Sequence, residues 1–252
     1  MDLGAIIGLV LGLMLIALGA TSEGGSLDRF FSVGSLLITV GGSFCAALVH
    51  FPMRDFLGFP RLLWRVVRPP VWNRTQIIAD FRRYADIARR NGILALEAIT
   101  GEIRDPFLRR GIQLAVDGAD PRVVEDLLRT DIELSGRGHD RGVRILRALA
   151  GYAPAFGLVG TLLGQVLMLR DLRDPNTVAK AMSLAIINTL YGVLMAYLVF
   201  GPLAEKLAIQ AQEEATVREM VIRGVMGLQS GDNPAVLEQK LVVYVSPVGV
   251  QA

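Results

Sequence analysis

Charge is missing from four long stretches of this chain. Leu3 to Ser22, Phe30 to Met53, Ala148 to Leu169 and Ala181 to Ala204 run for 20, 24, 22 and 24 residues without Asp, Glu, Lys or Arg. Cysteine is scarce too. Cys45 is alone and lies inside the second run, which excludes a disulfide framework and a cysteine metal site. The two histidines, His50 and His139, are far apart and stand beside no other ligand-type cluster. His139 reads as a surface residue. No phosphate loop, nucleophile elbow or metal-ligand pair at helical spacing occurs, so the residues point away from an enzyme and imply no cofactor. β-Hairpin signals, internal repeats and low-complexity segments are absent as well.

What is present suits a protein divided between membrane and water. The chain has 252 residues, 52% of them hydrophobic, and a mean hydropathy of +0.45. A bilayer core about 30 Å thick needs roughly 20 apolar helical residues, and each uncharged run is long enough. The expected architecture is an all-α membrane protein with four transmembrane helices, at 3–22, 30–51, 148–169 and 181–203. The loop at 52–147, opening with an interfacial helix, and the tail at 204–252 form a cytoplasmic helical domain. Only Asp2 precedes the first run, with no basic segment, so it reads as a span and not as a signal peptide. Gly4, Gly8, Gly12, Gly19, Gly41 and Gly42 either let backbones approach closely or sit incidentally on lipid-facing helices.

Basic residues set the orientation. Residues 52–150 hold 18 Arg and no Lys against 13 Asp and Glu, a net of +5. Arg54, Arg61, Arg65 and Arg68 follow directly on the second span. The long loop is therefore cytoplasmic, the short links face outward, and both termini are cytoplasmic. Its interleaved acids argue against nucleic acid as a partner.

Within the loop, Met53 to Pro70 reads as the interfacial helix, with Phe56, Phe59, Leu63, Trp64 and Val67 on one side and arginines on the other. Thr75 to about Thr100 reads as one amphipathic helix, with Ile78, Phe81, Ala85, Ala88 and Leu96 near one face. Asp105 to about Val116 is shorter. Asp120 with Pro121 caps a helix running toward Ala148. Pro202 stands at the end of the fourth span, Leu203 to Gly227 is helical again, and Asp232 or Asn233 with Pro234 starts a last short helix.

The third and fourth spans carry a polar seam that cannot ionise near neutral pH: Thr161 and Gln165, then Ser183, Asn188, Thr189 and Tyr191. Thr161 lies seven residues after Pro154, on the same helical face, flanked by Gly157, Gly160 and Gly164. Thr189, Gly192 and Ala196 follow a similar face in the fourth span. Such hydroxyls either guide water or an ion, or tie helices together. An ion-coupled protein needs a titratable or coordinating group at depth. None of the spans holds a carboxylate, so any such group must come from another chain.

These residues resemble a known family. Gly151-Tyr-Ala-Pro-Ala-Phe-Gly-Leu-Val-Gly-Thr-Leu-Leu-Gly164 with Asp174-Pro175, Asn188-Thr189-Leu190-Tyr191-Gly192 with Pro202-Leu-Ala-Glu-Lys-Leu207, Gly41-Gly42, Arg89 to Glu97, and Gly227 to Pro234 with Leu237-Glu238 are similar to the flagellar motor stator A-subunits, the MotA/PomA family. The third-span motif is shared more loosely with ExbB/TolQ relatives, which have three spans. The resemblance implies a pentamer of A-subunits around two MotB/PomB-like B-subunits, each bringing one membrane helix with an essential Asp. It implies a bacterial inner membrane location and ion flow that rotates the A ring against the rotor protein FliG. Thr161 and Thr189 would line the ion route, and Pro154 and Pro202 would influence coupling. Arg89, Arg90 and Glu97 would face the rotor. Each has a plainer alternative: the prolines start, kink or end helices, and the charges are solvated. Asn188, Tyr197 and Ser32 depart from the family's frequent Thr, Asn and sodium-type Asp. The coupling ion is expected to be H+, with Na+ as the other candidate. The alternatives are an ExbB/TolQ-like ring subunit and a non-conducting scaffold.

Overall fold

The computed structural model describes residues 3–22, 26–59, 64, 66, 68, 72–170 and 172–245. Every regular element among them is helical. The helices are α1 (Leu3–Ser22), α2 (Val33–His50), α3 (Met53–Leu57), α4 (Arg74–Asn91), α5 (Glu97–Thr100), α6 (Pro106–Val116), α7 (Pro121–Arg170), α8 (Pro175–Gln229) and α9 (Pro234–Val242). Two compact units divide the chain, Met1–Pro69 with His139–Ile209 and Pro70–Gly138 with Gln210–Ala252.

The first unit holds the four apolar helical stretches. α1 is exposed along its apolar length and is approached at Gly12 by the Leu198 side chain. In α2 the buried residues Ser35, Thr39, Ser43 and Ala47 fall four apart. A straight α-helix turns about 100° per residue, so steps of four drift about 40° each from one face. A π turn at Leu37–Gly41 takes up the drift, and Gly42 N–H reaches the Leu37 carbonyl five residues back. α8 repeats the device. Asn188, Gly192, Ala196, Phe200 and Ala204 are buried at steps of four, and Met195–Phe200 forms the second π turn.

That turn changes the part expected of Pro202. The proline does not end the helix: α8 continues through it to Gln229. Pro202 has no N–H to donate and its ring crowds the carbonyl four residues before it. The widened turn just upstream absorbs the misfit, with Gly201 N–H bonded to the Ala196 carbonyl.

In the same unit, Phe44 meets the rings of Phe56, Phe59 and Phe200 edge-on, with centroids 5.9 to 6.3 Å apart. Leu146, Leu149, Ala153 and Leu207 close the same core. Arg141 pairs with Asp55 at 3.3 Å and Arg147 with Glu205 at 2.9 Å. His139 is buried, not superficial. It precedes Val143, Leu146 and Ala150 at the four, three and four spacing of one helix face, and that face turns inward. Of the expected interfacial helix, Met53–Leu57, Phe59, Trp64 and Val66 are described, and Phe59 packs inward. Arg61, Leu63, Arg65, Val67, Pro69 and Pro70 lie outside the described residues.

In the second unit Asn73 caps α4 by accepting the Gln76 amide at 3.1 Å. The single helix expected over 75–100 is broken. Gly92 adopts φ +82°, a conformation that favours glycine, and a 3-10 turn at Ile93–Leu96 leads into α5. Asp105 caps α6 through the Leu108 amide at 2.7 Å, with Pro106 at the first helical position. Asn233 caps α9 in the same way, ahead of Pro234. The core gathers Phe81, Leu96, Ile112, Leu128, Met220 and Leu237, all fully buried. Gly224 lies flat against the Phe81 ring. Phe81→Ala therefore leaves a cavity costing about 3–5 kcal/mol. A thermal melt of the purified protein should show the transition several degrees lower, whereas exposed Val236→Ala should leave it in place.

Candidate functional site

In the first unit α7 and α8 meet along a strip where neither carries bulk. A Cβ on Gly157 would stand 2.9 Å from the Asn188 carbonyl oxygen, and one on Gly192 would stand 2.7 Å from the Ala153 carbonyl. At Gly164 the Ala181 carbonyl and the Ala185 Cβ would both stand at 2.7 Å. Backbone thus lies on backbone, and small residues at helical spacing are what permit it.

The approach brings two hydroxyls together. Thr161 Oγ1 and Thr189 Oγ1 are 2.5 Å apart. Thr161 also lies 3.0 Å from the carbonyls of Gly157 and Ala185, and Thr189 lies 3.5 Å from Ala185 O. Each hydroxyl has one proton to donate and two lone pairs. Oxygen lone pairs therefore outnumber the protons available, which suits the site to a water, a cation or a protonated carboxyl. Thr189 is exposed and Thr161 half-buried, so the pair is reachable from one side. Neither residue ionises, so a proton passing here must be carried by water or by an acid from elsewhere.

Pro154 belongs to the same strip, its Cα 3.1 Å from where a Cβ on Gly192 would stand. Pro202 does not. It is exposed, thirteen residues beyond Thr189 along α8, about 20 Å at 1.5 Å per residue. Arg89 and Arg90 lie in the last turn of α4 and Glu97 opens α5, with Gly92 between them, and all three are exposed. Among the described residues, the ion pairs of their unit, Arg82–Glu238, Arg83–Glu102, Arg110–Asp131, Arg129–Glu125, Arg218–Glu214 and Lys240–Asp232, leave them out.

A second polar contact was not foreseen. Asn188 is fully buried. Its Nδ2 donates to the Leu184 carbonyl at 2.8 Å, and its Oδ1 accepts from Thr39 Oγ1 at 3.2 Å. Asn188 fills the notch left by Gly160, so α2, α7 and α8 meet at one side chain. Ser43 Oγ donates to the Thr39 carbonyl, and all of Ser35, Thr39 and Ser43 are buried. Their four-residue spacing within an apolar run was the available signal. Tyr191 joins α8 to the start of α2, its hydroxyl donating to Phe30 O at 2.6 Å and accepting from Ser32 N–H at 3.1 Å. The Ser32 hydroxyl caps α2 by accepting from the Ser35 amide. Tyr197 is exposed.

Residues 100–220 match the MotA/TolQ/ExbB proton channel family. Over 246 residues the chain is 37% identical to the chemotaxis protein PomA of Vibrio alginolyticus, covering 98% of this chain and 96% of that protein. It is 38% identical to motility protein A of Borreliella burgdorferi over 249 residues, 98% of this chain and 95% of that one. The solved structure of C. jejuni MotAB superposes with a TM-score of 0.93 at 28% identity, over 99% of this chain and 98% of that chain. A four-helix membrane part, a glycine-lined α7–α8 seam with paired threonines and full-length likeness to motility proteins converge: this chain belongs to the MotA/TolQ/ExbB proton channel family, among its flagellar stator A-subunits.

Proposed function

We propose that this chain, as the A-subunit of an ion-driven flagellar stator, surrounds a B-subunit whose membrane helix supplies the acid its own spans lack. The observation that carries this is the Thr161–Thr189 pair, reachable from one side and set in four spans without a carboxylate. The similar C. jejuni structure is of a MotAB complex, which supports a B-type partner. In this scheme the partner's carboxyl takes up the ion beside the two hydroxyls, and its neutralisation lets the A ring step. Pro154, packed on Gly192, transmits the local change along the α7–α8 seam, and Pro202 with the π turn before it gives α8 a compliant point. The ring is a pentamer in the bacterial inner membrane, with both termini cytoplasmic. The coupling ion is H+, because no sodium-type carboxylate stands at Ser32.

Arg89, Arg90 and Glu97 form the rotor contact, facing FliG. Their exposure, and the lack of ion pairs to them among the described residues of the unit, support that role. Surface charges with no intramolecular partner add little to the fold. Reversing them in Arg89→Glu/Arg90→Glu should cut swimming speed at least several-fold while leaving protein level and ion leak unchanged. Loss of leak together with speed would remove them from the rotor contact.

Deletion and complementation in a motile host tests the whole scheme. Paralysed cells that still assemble filaments are the expected outcome. Ion conduction by this chain purified alone, with no second protein, would overturn the requirement for a partner acid. Speed that follows external sodium and ignores proton potential would overturn the choice of ion.

A further inference from the structure

We propose that the outer mouth of the α7–α8 hairpin binds the headgroup of an anionic phospholipid, held between Arg170 and Lys180. A cavity of about 530 Å³ opens there, lined by Leu167, Arg170, Thr177, Lys180, Ala181 and Leu184. Arg170 is the last residue of α7, and Lys180 lies in the second turn of α8. Both are exposed. Among the described residues, the ion pairs of their unit, Arg54–Asp55, Arg141–Asp55 and Arg147–Glu205, do not engage them.

The carboxylate nearest in sequence among the described residues is committed elsewhere. Asp174 caps α8, accepting from Thr177 Oγ1 at 2.5 Å and from the amides of Asn176 and Thr177 at 3.1 and 3.2 Å. Those bonds, with Lys180 adding attraction, hold its carboxyl below the usual carboxylate range. Its charge is thus turned to the helix start.

Depth selects the ligand. The uncharged runs stop at Leu169 and resume at Ala181, so Arg170 and Lys180 stand where hydrocarbon gives way to headgroups. Leu167 and Leu184 form an apolar floor beneath them. A phosphodiester can take a forked pair of hydrogen bonds from the guanidinium and one from the ammonium, and an acyl chain can lie on the leucines. A free anion would meet the two cations but would gain nothing from the floor.

The test uses the full chain in the complex it forms, purified in detergent and titrated with phosphatidylglycerol while bound lipid is read by native mass spectrometry. Each basic side chain near a membrane surface strengthens anionic lipid binding about five-fold, so R170Q/K180Q should weaken it about thirty-fold. The charge-keeping variant R170K/K180R should retain binding. Phosphatidylcholine of the same chain length should bind weakly to all three proteins. Equal retention of the two lipids, or unchanged phosphatidylglycerol binding in R170Q/K180Q, would overturn the proposal. Glycerol phosphate competing as well as the intact lipid would identify a free anion as the occupant and overturn it too. Loss of subunits from R170Q/K180Q with lipid binding intact would show that an acidic protein segment occupies the mouth instead.

Discussion

Gly192→Val will stop swimming. Its new side chain must enter a gap where the Ala153 carbonyl would lie 2.7 Å from Cβ and Pro154 Cα 3.1 Å away. Both obstacles are backbone, so no rotamer change relieves them. Overpacking of this kind costs about 1–3 kcal/mol even where side chains can yield; here α7 and α8 must separate. Separation parts Thr161 from Thr189, whose hydroxyl contact depends on the closeness of the two backbones. Complementation of a deletion strain should therefore give no spreading in soft agar, with ion leak lost as well. Gly192→Ala should fall between this variant and the native chain. Gly19→Ala in α1, with open space around the added carbon, should swim normally. Normal spreading with valine at 192 would mean that the seam is not closed in the working protein.

Thr189→Val is the second large effect and the more specific one. Valine keeps the shape and removes the hydroxyl. Thr161 still has the carbonyls of Gly157 and Ala185 at 3.0 Å to donate to, so the helix contact survives. What is lost is one of the two oxygens facing the open side. A hydrogen bond to a charged or buried group contributes about 1–3 kcal/mol, and about 1.4 kcal/mol is tenfold, so flux should drop about ten- to hundred-fold. Thr189→Ser should recover most of it. Proton flux into vesicles containing the complex gives the measurement, with the yield of complex as the control for folding. Unaltered torque with valine at 189 would take the hydroxyl out of the ion route.

Much of this was legible in the residues themselves. The four spans follow from uncharged length alone, because lipid tolerates few alternatives to an apolar helix. The glycine seam was legible from the spacing of Gly157, Gly160 and Gly164. The Thr161–Thr189 contact was only suggested, since two helices of known face still need a register. Three features escaped for separate reasons. Gly92 breaks the helix expected over 75–100, and a lone glycine in an amphipathic pattern is often tolerated. His139 reads as a surface residue, but its spacing to Val143 and Leu146 places it inward. For Pro202 the plainer alternative, that it ends a helix, fails because a π turn, which leaves no composition signal, rescues the helix. Its mark is positional: buried residues at uninterrupted steps of four, in α2 and in α8 alike.

Those wide turns make the two helices unequal in their response to losing a residue. Removing Val40 from within Leu37–Gly41, where no proline depends on the wide turn, would let α2 relax to ordinary α geometry, keeping Ser43 and Ala47 on the inward face. Removing Ile186, in the regular part of α8, would swing everything on one side of the cut by about 100°. A scan of single deletions should thus find a window of survival at the wide turn of α2 but none at that of α8, where Pro202 needs the extra residue.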